Sequence, residues 1–334
     1  MAVIVSIALA TYNGERYLQE QLQSFTDQTR QPDELIICDD ASTDNTLSII
    51  NKYAETAPFT VKVFSNETNI GYVRAFSWAL ELCSGDYVFL SDQDDVWLPE
   101  KIATIVSCFE SDQNVQLLIH DLEYCREDLS PIGQTKIARM SGVFDLERHF
   151  VTGMATVLRG SFLRLCLPIP NLPEMTHDTW LHQCASAIQH KSIIPAVLAL
   201  YRRHSTNATA AGDLNVDFVT TPEHFKTAPP SFHFIVRLVG LFKDERVIGI
   251  PELSPLTLWL QLHKKILIEE YGAKSSVEKL ITEDTHKVMS IRERLDFLSK
   301  NRWQRIVPVL KFYLHGKYQS FGGWKSTVKD LLVR

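Results

Sequence analysis

The chain has 334 residues, a formal net charge of −6 and 45% hydrophobic residues. These values describe a globular protein large enough for two domains, and they exclude nucleic-acid binding through a generally basic surface. Residues 1–100 contain five Lys or Arg against sixteen Asp or Glu, whereas residues 300–334 contain eight Lys or Arg against one acid, Asp330. We therefore expect the two ends of the chain to meet different partners.

The cysteine and hydropathy patterns bear on the compartment. Six cysteines are scattered without a C-x-x-C pair, which favours a reducing compartment and gives no structural zinc site. The apolar run from Val3 to Leu9 has strand length and lacks the basic leader of a signal peptide. No apolar run approaches the roughly 18–20 residues that span a membrane. We expect a cytoplasmic protein, either soluble or peripheral at the inner face of the plasma membrane.

Strand-like apolar runs alternate with helical periodicity in the first hundred residues. The predicted elements are strands 3–9, 34–38, 60–64 and 87–90 and helices 15–28, 44–53 and 73–82. This β-α-β-α-β-α-β order predicts a parallel sheet with helices on both faces. Polar residues follow three strands, at 11–13, 39–40 and 92–95. Because the carboxyl ends of parallel strands share one edge, we expect these residues to line one crevice.

The last of these polar sets places Asp92, Asp94 and Asp95 within four residues. Carboxylates this close repel one another unless a cation neutralises them. Mg²⁺ and Mn²⁺ prefer oxygen ligands, often one or two carboxylates plus substrate phosphates. The alternative for the whole stretch is a solvated acidic loop that caps the helix predicted after Pro99. For Asp95 alone, we expect this capping role. No G-x-G-x-x-G or Walker motif follows the first strand, and we favour a metal–diphosphate site.

Further along the chain, three stretches carry chemistry. His120 ends a strand predicted over 115–119, where a hydrogen-bonded histidine is favoured over a metal ligand. Asp178 lies at the start of a predicted helix, as a simple cap or as a functional group. Arg202 and His204 follow a strand predicted over 192–200 and form either a cation cluster for a diphosphate or an ordinary basic loop. The polar residues 206–221 are predicted to form a mobile loop that serves as a lid.

The C-terminal part of the chain is predicted to be helical. The predicted helices are 232–242, 253–271, 276–298 and 303–313. Aromatic residues accompany the basic excess of the last stretch: Trp303, Phe312, Tyr313, Tyr318, Phe321 and Trp324. This combination is typical of a helix at a membrane surface, and the alternative is packing against the first domain or against a second subunit of a homodimer. We divide the chain into a domain of residues 1–225 and a helical region of residues 226–334.

The motifs at the three strand ends resemble those of family 2 glycosyltransferases. They are Ala10-Thr11-Tyr12-Asn13-Gly14, Asp39-Asp40-Ala41-Ser42-Thr43-Asp44 and Asp92-Gln93-Asp94-Asp95-Val96-Trp97. The resemblance is closest to the rhamnosyltransferase-like branch of bacterial polysaccharide biosynthesis; it covers about the first 110 residues and reappears near 177–207. It implies an α/β, GT-A nucleotide-diphospho-sugar transferase fold with a mostly parallel sheet, to which this chain adds a C-terminal helical extension.

The resemblance also implies how the strand-end residues act. Thr11 and Tyr12, with Asn13 beside them, fall where the family lines the nucleoside pocket. Asp39 matches the carboxylate that accepts the pyrimidine N3–H, and Asp40 lies next to it. Asp92 and Asp94 match the D-x-D motif, in which Asp94 ligates Mn²⁺ or Mg²⁺ and Asp92 is nearer the ribose or a metal-bound water.

The resemblance also implies roles for residues in the later stretches. Arg74 is a candidate donor contact, although relatives often carry Asn where Ala75 stands here. Gly153 allows the backbone close to the donor sugar. Asp178 matches the catalytic base that takes the acceptor proton in an inverting transfer, with His177 orienting or structural. Arg202 or Arg203 contacts the diphosphate, and His204 either contacts it too or completes the metal shell of Asp94 and Asp92.

The function that follows is metal-dependent transfer of a sugar, with rhamnose as the candidate, from a dTDP- or UDP-linked donor to a glycan or lipid-linked glycan acceptor in cell-surface polysaccharide assembly. One alternative is a nucleotidyltransferase that makes nucleotide sugars, but its usual Gly-rich basic loop is missing after the first strand. A second alternative is a non-catalytic nucleotide-sugar-binding module, against which the intact Asp92, Asp94 and Asp178 argue.

Overall fold

The computed structural model describes residues 3–172, 175–205, 207, 253–299, 302–321, 326–327 and 330–331. The chain divides into two compact units, Met1–Glu223 and His224–Arg334. The predicted lid at 206–221, apart from Asn207, the predicted helix 232–242 and Trp324 lie outside the described residues.

The first hundred residues fold in the predicted order. The elements are β1 Val5–Thr11, α1 Leu18–Thr26, β2 Glu34–Asp39, α2 Thr46–Ala54, β3 Thr60–Ser65, α3 Tyr72–Leu82 and β4 Tyr87–Ser91. The residues of β2 and β4 are all buried, as expected for central strands covered on both faces.

The remainder of the first unit alternates short strands and helices. The elements are β5 Val96–Trp97, α4 Lys101–Ser111, β6 Leu117–Cys125, β7 Pro131–Thr135, α5 Lys136–Met140, α6 Leu146–His149, β8 Thr156–Arg159, α7 Gly160–Cys166, α8 His177–Ala187 and β9 Lys191–Arg202. A 3₁₀ turn, Gly153–Ala155, immediately precedes β8. The strand at 115–119 continues to Cys125, so His120 lies inside it, buried, with Nδ1 2.7 Å from the carbonyl oxygen of Asp121.

One mixed sheet organises this unit. Its strand order is β3-β2-β1-β4-β8-β6-β9-β5, with β7 paired to β6. The first four strands are mutually parallel, as are β6 and β9. Strand β8 runs antiparallel between β4 and β6, and β5 runs antiparallel to β9. The predicted α/β class is confirmed, and the antiparallel strands belong to the second half of the unit, where sequence periodicity does not reveal strand direction.

The core holds the acidic stretch in place through Trp97. Its ring is buried and lies edge-on to Phe25 of α1 with 4.8 Å between ring centroids, while its backbone N–H donates to Ser24 Oγ at 3.1 Å. Burying a large apolar side chain contributes about 1.5–3 kcal/mol. Asp92, Asp94 and Asp95 are therefore held between strand β4 and a well-packed anchor.

Glu34 is a buried acid at the start of β2. Its Oε1 accepts from Ser6 Oγ at 2.6 Å and from the Ser84 backbone N–H at 2.7 Å, and Lys62 Nζ donates to Oε2 at 2.9 Å. Burial acts to raise the pKa of Glu34, but these hydrogen bonds outweigh burial and lower the pKa to about 2. The ionised carboxylate thus ties β1, β2, β3 and the turn before β4 together.

We expect the variant Glu34→Gln to be less stable than the wild type by about 1–3 kcal/mol at pH 7, because a charged buried acceptor is lost. A carboxyl with a depressed folded-state pKa stabilises the protein above its unfolded pKa, here 4.5, and this stabilisation disappears as the pH falls toward 2. Urea unfolding followed by circular dichroism should show the difference between the two proteins narrowing from pH 4.5 to pH 2. A difference that does not depend on pH would contradict the assignment.

The second unit contains three described helices, α9 Pro255–Glu269, α10 Lys274–Leu298 and α11 Arg302–Leu314, and a 3₁₀ turn, Lys317–Phe321. Ser254 caps α9, because its side chain accepts from the Thr257 N–H. A small core joins α10, α11 and the turn through Phe297, Val309, Phe312 and Tyr318. Within the described residues, no helix is long and apolar enough to cross a membrane.

Candidate active site

The ends of β1 and β4 are joined beside the acidic stretch. The Tyr12 N–H donates to Gln93 Oε1 at 2.9 Å, and Gln93 Nε2 donates to the Tyr12 carbonyl at 3.0 Å. A Cβ on Gly14 would lie 2.3 Å from Gln93 Oε1, so only glycine leaves room for this pairing. The sequence analysis gave Gln93 no role. Its position between the two aspartates of the D-x-D motif is the signal that could have indicated one.

Asp39 joins the ends of β1 and β2. It is fully buried, and its carboxylate accepts from Thr11 Oγ1 at 2.8 Å, from Ser42 Oγ at 2.6 Å and from the Ser42 N–H at 2.9 Å. Asn13 has a φ of 46°, a left-handed conformation that asparagine tolerates. Its N–H donates to Ser42 Oγ and its Oδ1 accepts from the Thr43 N–H, each at 2.9 Å. The predicted nucleoside residues thus form one rigid wall.

Asp40 orders the loop that leads into α3. Its Oδ1 accepts from Asn66 Nδ2 and from the Ile70 N–H, both at 2.8 Å, and its Oδ2 accepts from the Gly71 N–H at 2.8 Å. Gly71 has a φ of 90°, which a residue with a Cβ rarely adopts. The position of the N terminus of α3 is therefore set by the same acidic pair that ends β2.

Arg74 lies on the exposed outer side of α3. It lines a groove of about 260 Å³ together with Val73, Ser77, Trp78, Glu81, Ile169 and Asn171. Among the hydrogen bonds of the described residues, none joins the Arg74 side chain to the acidic stretch. The structure thus places Arg74 near α7 and its following loop, and its contact with a donor stays a prediction.

Asp94 meets the residues that follow β9. Its Oδ2 lies 2.8 Å from His204 Nε2 and 3.2 Å from Asn207 Nδ2. Asn207 Nδ2 also lies 3.1 Å from His204 Nε2, and its Oδ1 accepts from the His204 backbone N–H at 2.7 Å. The ring of Tyr17 covers His204 with 4.6 Å between centroids. Asn207 was not predicted to have a role, although it ends the stretch 177–207 in which the family resemblance reappears.

Asp94 and His204 form a hydrogen-bonded pair whose spacing is also compatible with two ligands of one ion. Adjacent ligands at about 2.1 Å from an octahedral ion are about 3 Å apart, close to the 2.8 Å between Asp94 Oδ2 and His204 Nε2. No cluster of three or more His, Cys, Asp or Glu suited to a metal occurs in the part of the chain that the structure describes. Asp92 therefore does not complete a three-residue cluster, and the donor set fits an ion that takes its other ligands from a bound diphosphate and water.

The surroundings of Asp92 and Asp95 disfavour the ionised form of both carboxyl groups. Burial, followed by repulsion from Asp94 and Asp178, raises the pKa of Asp92 to about 7, and Lys101 opposes the shift. Burial and the two neighbouring carboxylates also raise the pKa of Asp95 well above its ordinary value. A cation bound here would relieve the repulsion. The expectation that Asp95 caps the next helix is wrong: its Oδ1 accepts from the Arg202 N–H at 3.0 Å, and Glu100, the N-cap of α4, makes no side-chain cap bond.

Lys101 is a buried lysine beside the acidic stretch, and the sequence did not reveal its burial. Its side chain is fully buried, and Nζ donates to the Met154 carbonyl at 2.7 Å and lies 3.6 Å from the centroid of the Trp97 ring. Burial lowers the pKa of Lys101 well below its ordinary value, and the charges of Asp95 and Asp92 act in the opposite direction. Lys101 thereby connects the acidic stretch to the 3₁₀ turn that contains Gly153.

Arg202 braces the acidic stretch from behind. Its Nε donates to the Asp94 carbonyl at 2.8 Å, and its two terminal nitrogens donate to the Glu127 carbonyl and to the Glu20 carboxylate. The guanidinium also lies 4.7 Å from the centroid of the Tyr17 ring. All three nitrogens of the buried guanidinium are thus engaged by the protein. The predicted contact between Arg202 and a diphosphate stays a prediction, whereas its bracing role follows directly from these bonds.

Asp178 lies at the start of α8, as predicted. Its Oδ1 accepts from Thr176 Oγ1 at 2.5 Å and from the Thr179 N–H at 2.8 Å. Its Oδ2 accepts none of the hydrogen bonds found among the described residues, and it lies 4.0 Å from an ideal Cβ built on Gly153. Asp178 is close enough to Asp92 for their charges to interact. The fold therefore brings an oriented carboxylate with one open oxygen beside the acidic stretch.

His177 forms the wall next to Asp178. Its ring stacks on Phe76 with 4.0 Å between centroids and 17° between planes, and Nε2 lies 3.2 Å from an ideal Cβ on Gly153. Both ring nitrogens are buried without a hydrogen-bond partner in the described structure. Burial lowers the pKa of His177 to about 4, although Asp178 opposes the shift. Burial therefore favours the neutral form of the His177 ring.

Comparison with known proteins places this unit in a family. Residues 6–160 match the model of Glycosyl transferase family 2, and this segment contains all three strand-end motifs. The part of the first unit that carries these motifs, residues 6–160, belongs to glycosyl transferase family 2. One relative is an uncharacterized protein of Mycobacterium tuberculosis. It is 30% identical over 209 residues, which are 60% of this chain and 59% of that protein.

This chain is also similar to a second curated protein and to a solved structure. The dTDP-rhamnosyl transferase RfbG of Shigella flexneri is 35% identical over 104 residues, 30% of this chain and 36% of that protein. Residues 1–349 of Staphylococcus aureus TarS, solved with UDP-GlcNAc, superpose with a TM-score of 0.50 at 18% identity, covering 94% of this chain and 92% of that chain. The TarS similarity supports the GT-A fold. The chain spans less than two thirds of the length of these curated relatives.

Proposed function

We propose that this protein is a metal-dependent, inverting glycosyltransferase that moves a sugar from a nucleoside-diphosphate donor to a hydroxyl of a glycan acceptor in cell-surface polysaccharide assembly. The observation that carries the proposal is the placement of Asp178, with one oriented and one open carboxylate oxygen, beside the acidic stretch of Asp92 and Asp94. Membership of family 2 favours sugar transfer over synthesis of the nucleotide sugar.

In the proposal the nucleoside lies against the wall of Thr11, Tyr12, Asn13 and Asp39, with Asp40 behind it. Asp39 is positioned by three hydrogen bonds from Thr11 and Ser42, and its carboxylate is proposed to accept the pyrimidine N3–H. The donor is a dTDP or UDP sugar. Rhamnose is the candidate sugar, since the similar RfbG is named a dTDP-rhamnosyl transferase.

The diphosphate is proposed to lie at Asp94 and His204. These residues would hold Mg²⁺ or Mn²⁺ with Asp92 adjacent, and the ion would supply positive charge to the departing diphosphate. Asn207 keeps His204 and Asp94 in register through its contacts with both side chains. Arg202 holds the backbone at Asp94 by its bond to the Asp94 carbonyl. This bond limits the movement of the site as negative charge develops on the departing diphosphate.

Asp178 is proposed to act as the general base. As the acceptor oxygen attacks C1 of the sugar from the side opposite the diphosphate, its proton passes to Asp178 Oδ2 while the bond from C1 to the diphosphate oxygen breaks. Thr176 Oγ1 and the Thr179 N–H hold Oδ1, so Oδ2 points in one direction only. Gly153 leaves the space beside Asp178 and His177 open for the reacting sugar, because a Cβ there would come within 3.2 Å of His177 Nε2.

A thermal-shift screen of nucleotide sugars with and without Mn²⁺ tests the donor assignment. We expect one pyrimidine donor to stabilise the protein by about 2.7 kcal/mol at a hundredfold excess over its dissociation constant, and only when the metal is present. The matched ligand control is the corresponding nucleoside monophosphate, which lacks the second phosphate and should shift the midpoint less. Equal shifts from purine and pyrimidine donors would contradict the predicted role of Asp39.

A further inference from the structure

Helix α11 carries large apolar side chains on two opposite faces. The inner face places Val309 and Phe312 in the small core with Phe297 and Tyr318. The outer face carries four apolar residues at helical spacing, which we call the α11 stripe: Trp303, Val307, Leu310 and Leu314. These side chains are 81%, 59%, 47% and 80% exposed. The spacing of four, three and four residues keeps them on one side of the helix.

Among the described residues, this outer face takes no part in the small core of the unit. A surface helix usually turns one apolar stripe toward its core and a polar face toward water, and α11 already has its inner stripe in Val309 and Phe312. A second contiguous apolar stripe that includes an exposed Trp is typical of a surface that meets another apolar phase. The structure therefore sorts the C-terminal aromatic residues into two groups, since Phe312 and Tyr318 are buried while Trp303 is exposed.

The charges of the same segment indicate what that phase is. Residues 300–334 contain eight Lys or Arg and one acid, Asp330. That acid is buried and accepts two hydrogen bonds of 2.7 Å from Arg294 and one of 2.7 Å from Tyr318 Oη. Of the basic side chains in this segment that the structure describes, Arg305 is buried and Lys317 pairs with Glu293. Lys311 is exposed and follows Leu310 on α11. The segment thus combines an apolar stripe with positive charge.

We propose that the α11 stripe docks onto an anionic lipid surface, with the helix lying in the plane of the headgroups. Trp303 would sit at the interface and Lys311 would reach the headgroups, as amphipathic aromatic and basic side chains do. A second copy of the chain is the weaker occupant, because a symmetric seam would bring basic segments of like charge together. This docking does not depend on the proposed transfer reaction.

The test uses the full chain and vesicles of phosphatidylcholine, with or without about a third of phosphatidylglycerol. We expect the wild type to bind the anionic vesicles at least about tenfold more tightly than the neutral ones, and to lose that preference at high salt. The double variant Trp303→Ser, Leu314→Ser should lose at least about tenfold of the binding, and Lys311→Gln about fivefold. Both act on exposed side chains, and equal unfolding midpoints will show that the fold is retained.

The matched control is Leu262→Ser, since Leu262 is 79% exposed on α9 of the same unit but outside the stripe; it should bind as the wild type does. The proposal is overturned if the double variant binds vesicles as tightly as the wild type, or if the wild type ignores anionic vesicles. It is also overturned in favour of a second copy if sedimentation velocity shows a dimer that the double variant dissociates while vesicle binding is absent.

Discussion

Replacing Asp178 with Asn is expected to lower kcat for sugar transfer by about 10²–10⁴-fold, the range that general bases contribute. The amide keeps an oxygen at the position of Oδ1, so the bonds from Thr176 Oγ1 and the Thr179 N–H can persist and α8 should keep its cap. What disappears is the open oxygen that takes the acceptor proton. The Michaelis constant for the donor should change little, because the residues proposed to bind the nucleoside and the diphosphate lie outside α8.

The measurement is initial-rate transfer with the donor that the thermal-shift screen identifies, at saturating metal. Asp27→Asn is the matched control, since Asp27 is exposed at the end of α1 and, among the described residues, its side chain bonds to Gln23 of its own helix turn. We expect wild-type kcat and an unchanged unfolding midpoint for that control. Retention of more than about a tenth of the wild-type kcat in Asp178→Asn would remove Asp178 from the role of base.

The second large effect is expected at Asp94. Asp94→Asn should weaken Mn²⁺ binding by about 10²-fold or more, since even residues that only support a metal ligand change affinity by 10–100-fold. The Asn side chain can still meet His204 and Asn207, so the loop after β9 should stay ordered, but the negative charge that balances the ion is gone. Transfer should fall at least as much as metal affinity, because the departing diphosphate loses its counter-charge.

Isothermal titration with Mn²⁺ in the presence of the nucleoside diphosphate measures this directly. Asn207→Ala serves as the comparison: it removes the contacts to Asp94 Oδ2 and His204 Nε2 without removing a proposed ligand. We expect Asn207→Ala to lose about 10–100-fold in metal affinity. The affinity for Mn²⁺ should therefore be lowest in Asp94→Asn, intermediate in Asn207→Ala and highest in the wild type. Metal-dependent transfer at the wild-type rate in Asp94→Asn would place the ion elsewhere.

Several features of the site could be predicted because they are local in sequence. The polar residues after β1, β2 and β4 were expected at one sheet edge, and the structure joins Thr11 to Asp39 and Tyr12 to Gln93 there. Asp178 was expected at a helix start, and α8 begins at His177. These predictions rest on strand periodicity and on the rule that parallel strands share their carboxyl edge, both of which act over a few residues.

Other features depend on contacts between distant segments. Arg202 was expected to face a diphosphate, but its guanidinium is held by Asp94, Glu127 and Glu20, which lie up to 182 residues away in the chain. Lys101 follows a predicted helix start and gave no sign that it is fully buried beneath the acids. A basic residue in sequence carries no information about which acceptors its donors will meet, since those acceptors come from other strands.

By itself, the sequence determined the α/β order of the first unit, the family 2 motifs at its strand ends, and the basic, aromatic character of the last segment. Only the tertiary structure decided which members of each set act together. It paired Asp94 with His204 and Asn207, turned Asp95 inward to Arg202, and divided the last aromatic residues between the small core and the α11 stripe. The physical reason is that periodicity and charge are properties of the chain, whereas the direction of a hydrogen bond and the exposure of a face are set by the segments packed around it.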